Sequence, residues 1–81
     1  MSHIEVRLYA TLSRHLAGYQ SGALLELEIV DGMTVLQLLE DVLDVPPDEV
    51  RTIFVNGVSK RADWPLRDGD RVGIFPSVAG G

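Results

Sequence analysis

The chain contains no cysteine. Disulfides, thiolate zinc sites and a cysteine nucleophile of its own are thereby excluded, and the redox compartment is left undefined. No apolar run approaches membrane-spanning length, so no transmembrane helix and no membrane partner are expected. The first residues, Met1-Ser2-His3-Ile4-Glu5, lack a basic stretch followed by an apolar one. No targeting segment is therefore expected, and a cytoplasmic location is the default. Basic side chains are scarce, 7 against 12 acidic, for a formal charge of −5. Such a surface repels phosphate backbones and argues against a nucleic-acid partner. It suits docking on a basic protein surface, or simply solubility.

Catalytic signatures are missing as well. His3 and His15 are the only histidines, and neither has acidic neighbours at ligand spacing. They read as ordinary surface residues, and no metal site is expected. There is no Gly-x-Ser-x-Gly elbow and no phosphate-cradling glycine loop, and Asp68-Gly69-Asp70 would repel phosphate. Asp41, Asp44, Asp48 and Glu49 read as a solvated helix end and loop, so no catalytic side chain is assigned. No serine stands in the Asp-Ser-Leu setting that an acyl carrier needs.

What is present is enough for one domain: 81 residues, 46% hydrophobic, suited to a core held by packing alone. Ile4, Val6 and Leu8 alternate with Glu5, Arg7 and Tyr9, predicting a half-buried strand. A short helical turn is predicted over Ala10–Ala17, then a Gly- and Ser-containing loop over Gly18–Gly22. Leu25, Leu27 and Ile29 alternate with Glu26 and Glu28 as a second strand. Thr34 with Gln37 three residues on forms a capping-box pattern. Val35, Leu38, Leu39, Val42 and Leu43 follow as the apolar stripe of the main helix, which Pro46-Pro47 must end. Asp48–Val50 suggests a further helical turn, and Thr52–Val55 a third strand. Asn56-Gly57 is a hairpin signal, because both residues tolerate positive φ, and Val58–Lys60 is the return strand. Trp64-Pro65-Leu66 is irregular, Arg67–Asp70 a turn, and Arg71–Phe75 the last strand. One helix must then cover one face of a mixed sheet, since neither can bury its apolar side alone. The expected class is α+β: a β-grasp, ubiquitin-like roll of four to five strands, one main helix and a short helical turn. The domain is expected over 1–75, with 76–81 as an extended tail.

Strand parity says what the helix leaves open. If Ile4, Val6, Leu8, Val72 and Ile74 face the helix, Tyr9 and Phe75 point away from it. If Ile53 and Val55 face inward, Phe54 also points out, and three rings share the open face with Arg7 and Arg71. Such a patch is either a partner-docking surface or a set of rings folded over the sheet edge into minor clusters.

Pro76-Ser77-Val78-Ala79-Gly80-Gly81 follows the last strand. Extended, these residues reach roughly 20 Å. Val78 offers one apolar anchor, and Ala79, Gly80 and Gly81 then taper to almost no side chain. Residues without Cβ atoms can thread a narrow channel and take backbone angles closed to others. A terminal carboxylate delivered that way is ionised and inert until activated, for example as an acyl-adenylate. The alternative is a frayed, Gly-rich end.

Three stretches carry a family likeness. Phe54-Val55-Asn56-Gly57, Leu66-Arg67-Asp68-Gly69-Asp70-Arg71-Val72 and Phe75-Pro76-Ser77-Val78-Ala79-Gly80-Gly81 resemble the third strand and hairpin, the Leu-x-Asp-Gly-Asp-x-Val turn and the Phe-Pro-Pro-Val-x-Gly-Gly tail of the MoaD/ThiS family of ubiquitin-like sulfur carriers. Ser77 departs from the second proline of that tail. The resemblance implies that an E1-like adenylyltransferase (MoeB/ThiF-like) uses ATP to adenylate Gly81, and that a cysteine desulfurase or rhodanese supplies sulfur to make a thiocarboxylate. Val78, Ala79 and Gly80 would enter the partner. The carrier itself would bind no cofactor, and the catalytic side chains would be the partners'. The length of Ala10–Gly22 and the Phe-Pro tail look MoaD-like, which implies the small subunit of molybdopterin synthase beside a MoaE-like large subunit. The alternatives are a ThiS-like carrier for the thiazole of thiamine, a ubiquitin-like modifier, and a plain interaction module.

Overall fold

The structure is a computed structural model and describes residues 1–77. β1 (Ser2–Leu8) lies between an antiparallel β2 (Leu25–Ile29) and a parallel β5 (Arg71–Pro76). β3 (Val50–Val55) pairs antiparallel with the other side of β5, and the two-residue β4 (Val58–Ser59) closes that edge. The order is β2-β1-β5-β3-β4, a mixed five-stranded sheet with β5 at its centre. The Asn56-Gly57 hairpin has the two positive φ angles its residue types anticipate, 53° and 81°.

The helix α1 crosses one face. It starts as Val35–Gln37 and continues through Leu38–Leu43. Both halves of the expected capping box are present: Thr34 Oγ1 accepts from the Gln37 N–H at 3.2 Å, and the Gln37 side chain accepts from the Thr34 N–H at 2.9 Å. Val35 N–H and Leu36 N–H donate to the carbonyls of Trp64 and Ala62. The irregular 60s loop thus satisfies donors that a helix N-terminus leaves unpaired.

The stripe differs from expectation at one position. Val35, Leu38, Leu39 and Leu43 are buried, but Val42 is 42% exposed. Leu38–Leu43 is wound as a π-helix, so stacking shifts from i+4 toward i+5. Leu43 returns over Leu38, and Val42 rotates out. The helix closes at Asp44, whose φ of 55° is left-handed, before Pro46 is reached.

Further boundaries move slightly. A 3₁₀ turn covers Ala10–His15, and a second covers Pro47–Glu49, one residue earlier than expected. β3 begins at Val50 rather than Thr52, through an irregular register between those two residues. β5 runs one residue past Phe75, because Pro76 pairs with Val50. A strand end that offers only its carbonyl can accommodate proline.

The core lies between sheet and helix. Ile4, Val6 and Leu8 of β1, Val72 and Ile74 of β5, Ile53 and Val55 of β3, and Ile29 of β2 meet the α1 residues together with Leu12, Val45 and Leu66. The Arg67–Asp70 turn acts as a clasp. Asp70, only 8% exposed, accepts from the Arg67 N–H and from the Asn56 side-chain amide, and the Asp70 carbonyl accepts from the Glu5 N–H. Residues that read as a phosphate-repelling turn therefore tie β1, the hairpin and the start of β5 together. No helix among the described residues is long and apolar enough to cross a membrane.

Candidate functional site

The sheet face away from α1 carries the residues that parity placed there. Gly73 sits in register between Arg7 on β1 and Phe54 on β3, and Phe75 lies two residues on, opposite Thr52. Tyr9 follows the end of β1, its N–H donating to the Ile74 carbonyl at 3.0 Å. The Tyr9 and Phe75 rings stack with centroids 4.4 Å apart and planes within 1°, and Phe54 meets Phe75 edge-on at 5.7 Å. These are favourable aromatic geometries, and the three rings brace one another. The cluster stands on Gly73. A Cβ there would lie 3.6 Å from both Tyr9 and Phe75, an ordinary van der Waals distance, so the two rings close over the Gly73 backbone while leaving room for a methyl group. A glycine inside a strand, as at Gly73, is itself a sequence sign of close approach.

Phe54 remains 36% exposed, while Tyr9 and Phe75 are half-buried. Arg7 and Arg71 flank the rings and line one shallow depression with Tyr9, Phe54 and Gly73. The Arg7 guanidinium donates to the Gly22 carbonyl at 2.6 Å, which holds the 18–22 loop beside Tyr9. Toward the β2 edge the same face turns acidic, with His3 set 3.5 Å from Glu26 and 3.7 Å from Glu28. The face therefore carries carboxylates along β2 and, around β5, arginines and aromatic rings with Glu5 set among them.

A second cluster surrounds the point where β5 ends. Ser77 N–H donates to the Glu49 carbonyl at 3.3 Å. The Glu49 carboxylate in turn takes Arg14 and His15 of the first 3₁₀ turn, each at 2.8 Å. The hydrogen bond from His15, then the charges of Arg14 and His15, hold the Glu49 carboxyl below its ordinary value of 4.5, against a partial loss of solvation. In the sequence both histidines read as ordinary surface residues and Glu49 as part of a solvated helix end and loop. The pairing spans 34 positions and leaves no local signature.

A carboxyl with a lowered folded-state value adds stability above its unfolded value and loses it as pH falls through the folded one. The stability advantage of the wild-type chain over Glu49→Gln is therefore expected at neutral pH and should vanish as pH drops below 4.5. Urea titrations of both proteins across that range check this, and a gap that widens in acid would contradict the pairing.

Among the described residues, no three His, Asp or Glu side chains are grouped to hold a metal ion. Val78, Ala79, Gly80 and Gly81, the tail residues singled out by sequence, lie outside the described residues.

Among curated proteins, no sequence matches the chain. Solved structures do resemble it. Small archaeal modifier protein 1 from Haloferax volcanii superposes with a TM-score of 0.70 at 22% identity, over 99% of this chain and 100% of that one. A Pyrococcus furiosus protein described as molybdopterin converting factor, subunit 1, superposes with a TM-score of 0.69 at 29% identity, over 96% and 100%. A Caldiarchaeum subterraneum ubiquitin gives 0.57 at 20% identity, over 99% and 100%. The fold is thus the ubiquitin-like β-grasp, shared with a small archaeal modifier and a molybdopterin converting factor subunit. The model of the Mut7-C ubiquitin family matches residues 1–80, and the chain belongs to that family.

Proposed function

We propose that this protein is a sulfur carrier whose working group is the carboxylate of Gly81. The observation that carries the proposal is the sequence Ser77-Val78-Ala79-Gly80-Gly81, which follows the central strand of a β-grasp sheet. The Pyrococcus furiosus neighbour supports it, since that protein is described as a molybdopterin converting factor subunit and shares 29% of its residues with this chain.

The chemistry follows from what a carboxylate cannot do. It is a poor electrophile, so an E1-like adenylyltransferase must first join it to the α-phosphate of ATP, releasing pyrophosphate. A persulfide on the sulfur donor then displaces AMP, and thiol reduction of the acyl disulfide leaves a thiocarboxylate. The thiocarboxylate is the better nucleophile and hands its sulfur to the acceptor. The acceptor we propose is the pterin precursor of the molybdenum or tungsten cofactor, with this chain as small subunit beside a MoaE-like large subunit. The chain contributes the acyl group and a docking face, and its partners contribute the catalytic side chains.

The docking face is the Tyr9, Phe54 and Phe75 cluster with Arg7 and Arg71. Phe54 is its exposed anchor, and large rings in a desolvated centre carry most of the energy of such contacts. Phe54→Ser is expected to raise the KM for the carrier in adenylation at least about tenfold with little change in kcat. An unchanged KM would remove this face from the activation step.

Incubation with the adenylyltransferase, ATP and a persulfide donor tests the function. Replacement of one oxygen of Gly81 by sulfur is the expected product. Lysine conjugates formed instead would identify a modifier.

A further inference from the structure

An incompletely paired strand lies near the edge of the sheet opposite the acidic β2. β4 covers only Phe54 and Val55 of β3, and the Lys60 N–H adds one bond to the Ile53 carbonyl. Upstream of Ile53, no strand among the described residues covers the outer side of β3. A groove of about 360 Å³ runs along that unpaired stretch. Its floor is apolar, with Leu39 of α1, Pro47 and Ile53, and its rims carry Arg51, Lys60 and Arg61.

Two features set this groove apart from the rest of the surface. In a chain with 12 acidic side chains and 7 basic ones, it gathers three cations and, among the described residues, no carboxylate. Among the described residues, none of those cations is ion-paired. Lys60 is held in place over the Trp64 ring, its Nζ 3.8 Å from the centroid. Arg51 and Arg61 are exposed.

An open strand edge offers main-chain donors and acceptors to any extended segment, and the flanking side chains then choose the sequence. Here the flanking choice is for negative charge with alternate apolar residues, which would drop into the floor. We infer that the β3 edge binds an extended acidic segment of a partner protein by strand addition, with Arg51, Lys60 and Arg61 pairing its carboxylates. The occupant is distinct from whatever engages the tail or the aromatic face, so this inference stands apart from the chemistry at Gly81.

The probe is a blocked heptapeptide of alternating glutamate and valine, titrated into the full-length, isotopically labelled protein and followed by amide NMR. Shifts confined to residues 50–53 and 59–62 are expected, with slowed amide exchange at Arg51 in the complex. Arg51→Glu combined with Arg61→Glu, both exposed and so compatible with folding, should weaken binding at least about tenfold. Gly81→Glu should leave it unchanged.

Absence of shifts at about 1 mM peptide, or shifts centred on Phe54 and Phe75, would overturn the inference. So would equal binding of a heptaglutamate peptide, which would reduce the site to unspecific charge. Concentration-dependent shifts at the same residues without peptide would assign the groove to a second copy of the chain instead.

Discussion

Gly81→Glu is expected to abolish adenylation while leaving the domain folded. The reacting oxygen must reach the α-phosphate of ATP inside another protein, and only a residue without a Cβ suits the narrowest part of such a path. A reacting group displaced by about 1 Å loses about a hundredfold in rate, and a glutamate side chain displaces it further while adding a charge. Gly81→Ala should show a smaller loss in the same direction. The core residues named above all lie between Ile4 and Ile74, so far-UV circular dichroism of both variants should match the parent. Exchange of labelled pyrophosphate into ATP, measured with the activating enzyme, reads the effect. Full exchange with Gly81→Glu would remove Gly81 from the chemistry.

The second large effect concerns the strand that delivers the tail. Ile74 is fully buried in β5, in register with Leu8 on one side and Ile53 on the other. Ile74→Ala removes packing that both neighbouring strands share, and such truncations cost about 2–5 kcal/mol. Small domains hold only about 5–15 kcal/mol in total, so the variant should be marginal at room temperature. Ile74→Val, which loses one methylene, should cost about 0.5–1.5 kcal/mol. Urea unfolding measures both. A cost below that of Ile74→Val for the alanine variant would mean that β5 is not the spine of this core.

The strands and their inward faces were legible in the sequence because a half-buried strand repeats every two residues. That parity alone brought Tyr9, Phe54 and Phe75 onto one face, and the stacked geometry bears out the placement. The capping box at Thr34 and Gln37 and the hairpin at Asn56-Gly57 were legible for the same reason: each is a local device. Winding was not legible. An α-helical period buries Val42, and the π-turns from Leu38 expose it. Nor were the contacts made by distant segments. Glu49 finds His15 and Arg14 only because the first 3₁₀ turn and the Pro47–Glu49 turn meet in space beside the end of β5. The cationic groove likewise joins Arg51 to Lys60 and Arg61 across a hairpin whose return strand stops after two residues.

On the proposed function, a sulfur atom travels on Gly81. The intact mass of the protein purified from its native cell, under conditions that preserve thioacids, tests it most directly. A fraction ending at Gly81 and heavier by the replacement of one oxygen by sulfur is the predicted result. A protein that carries only the unmodified carboxylate, or a chain that continues beyond Gly81 in every molecule, would contradict it.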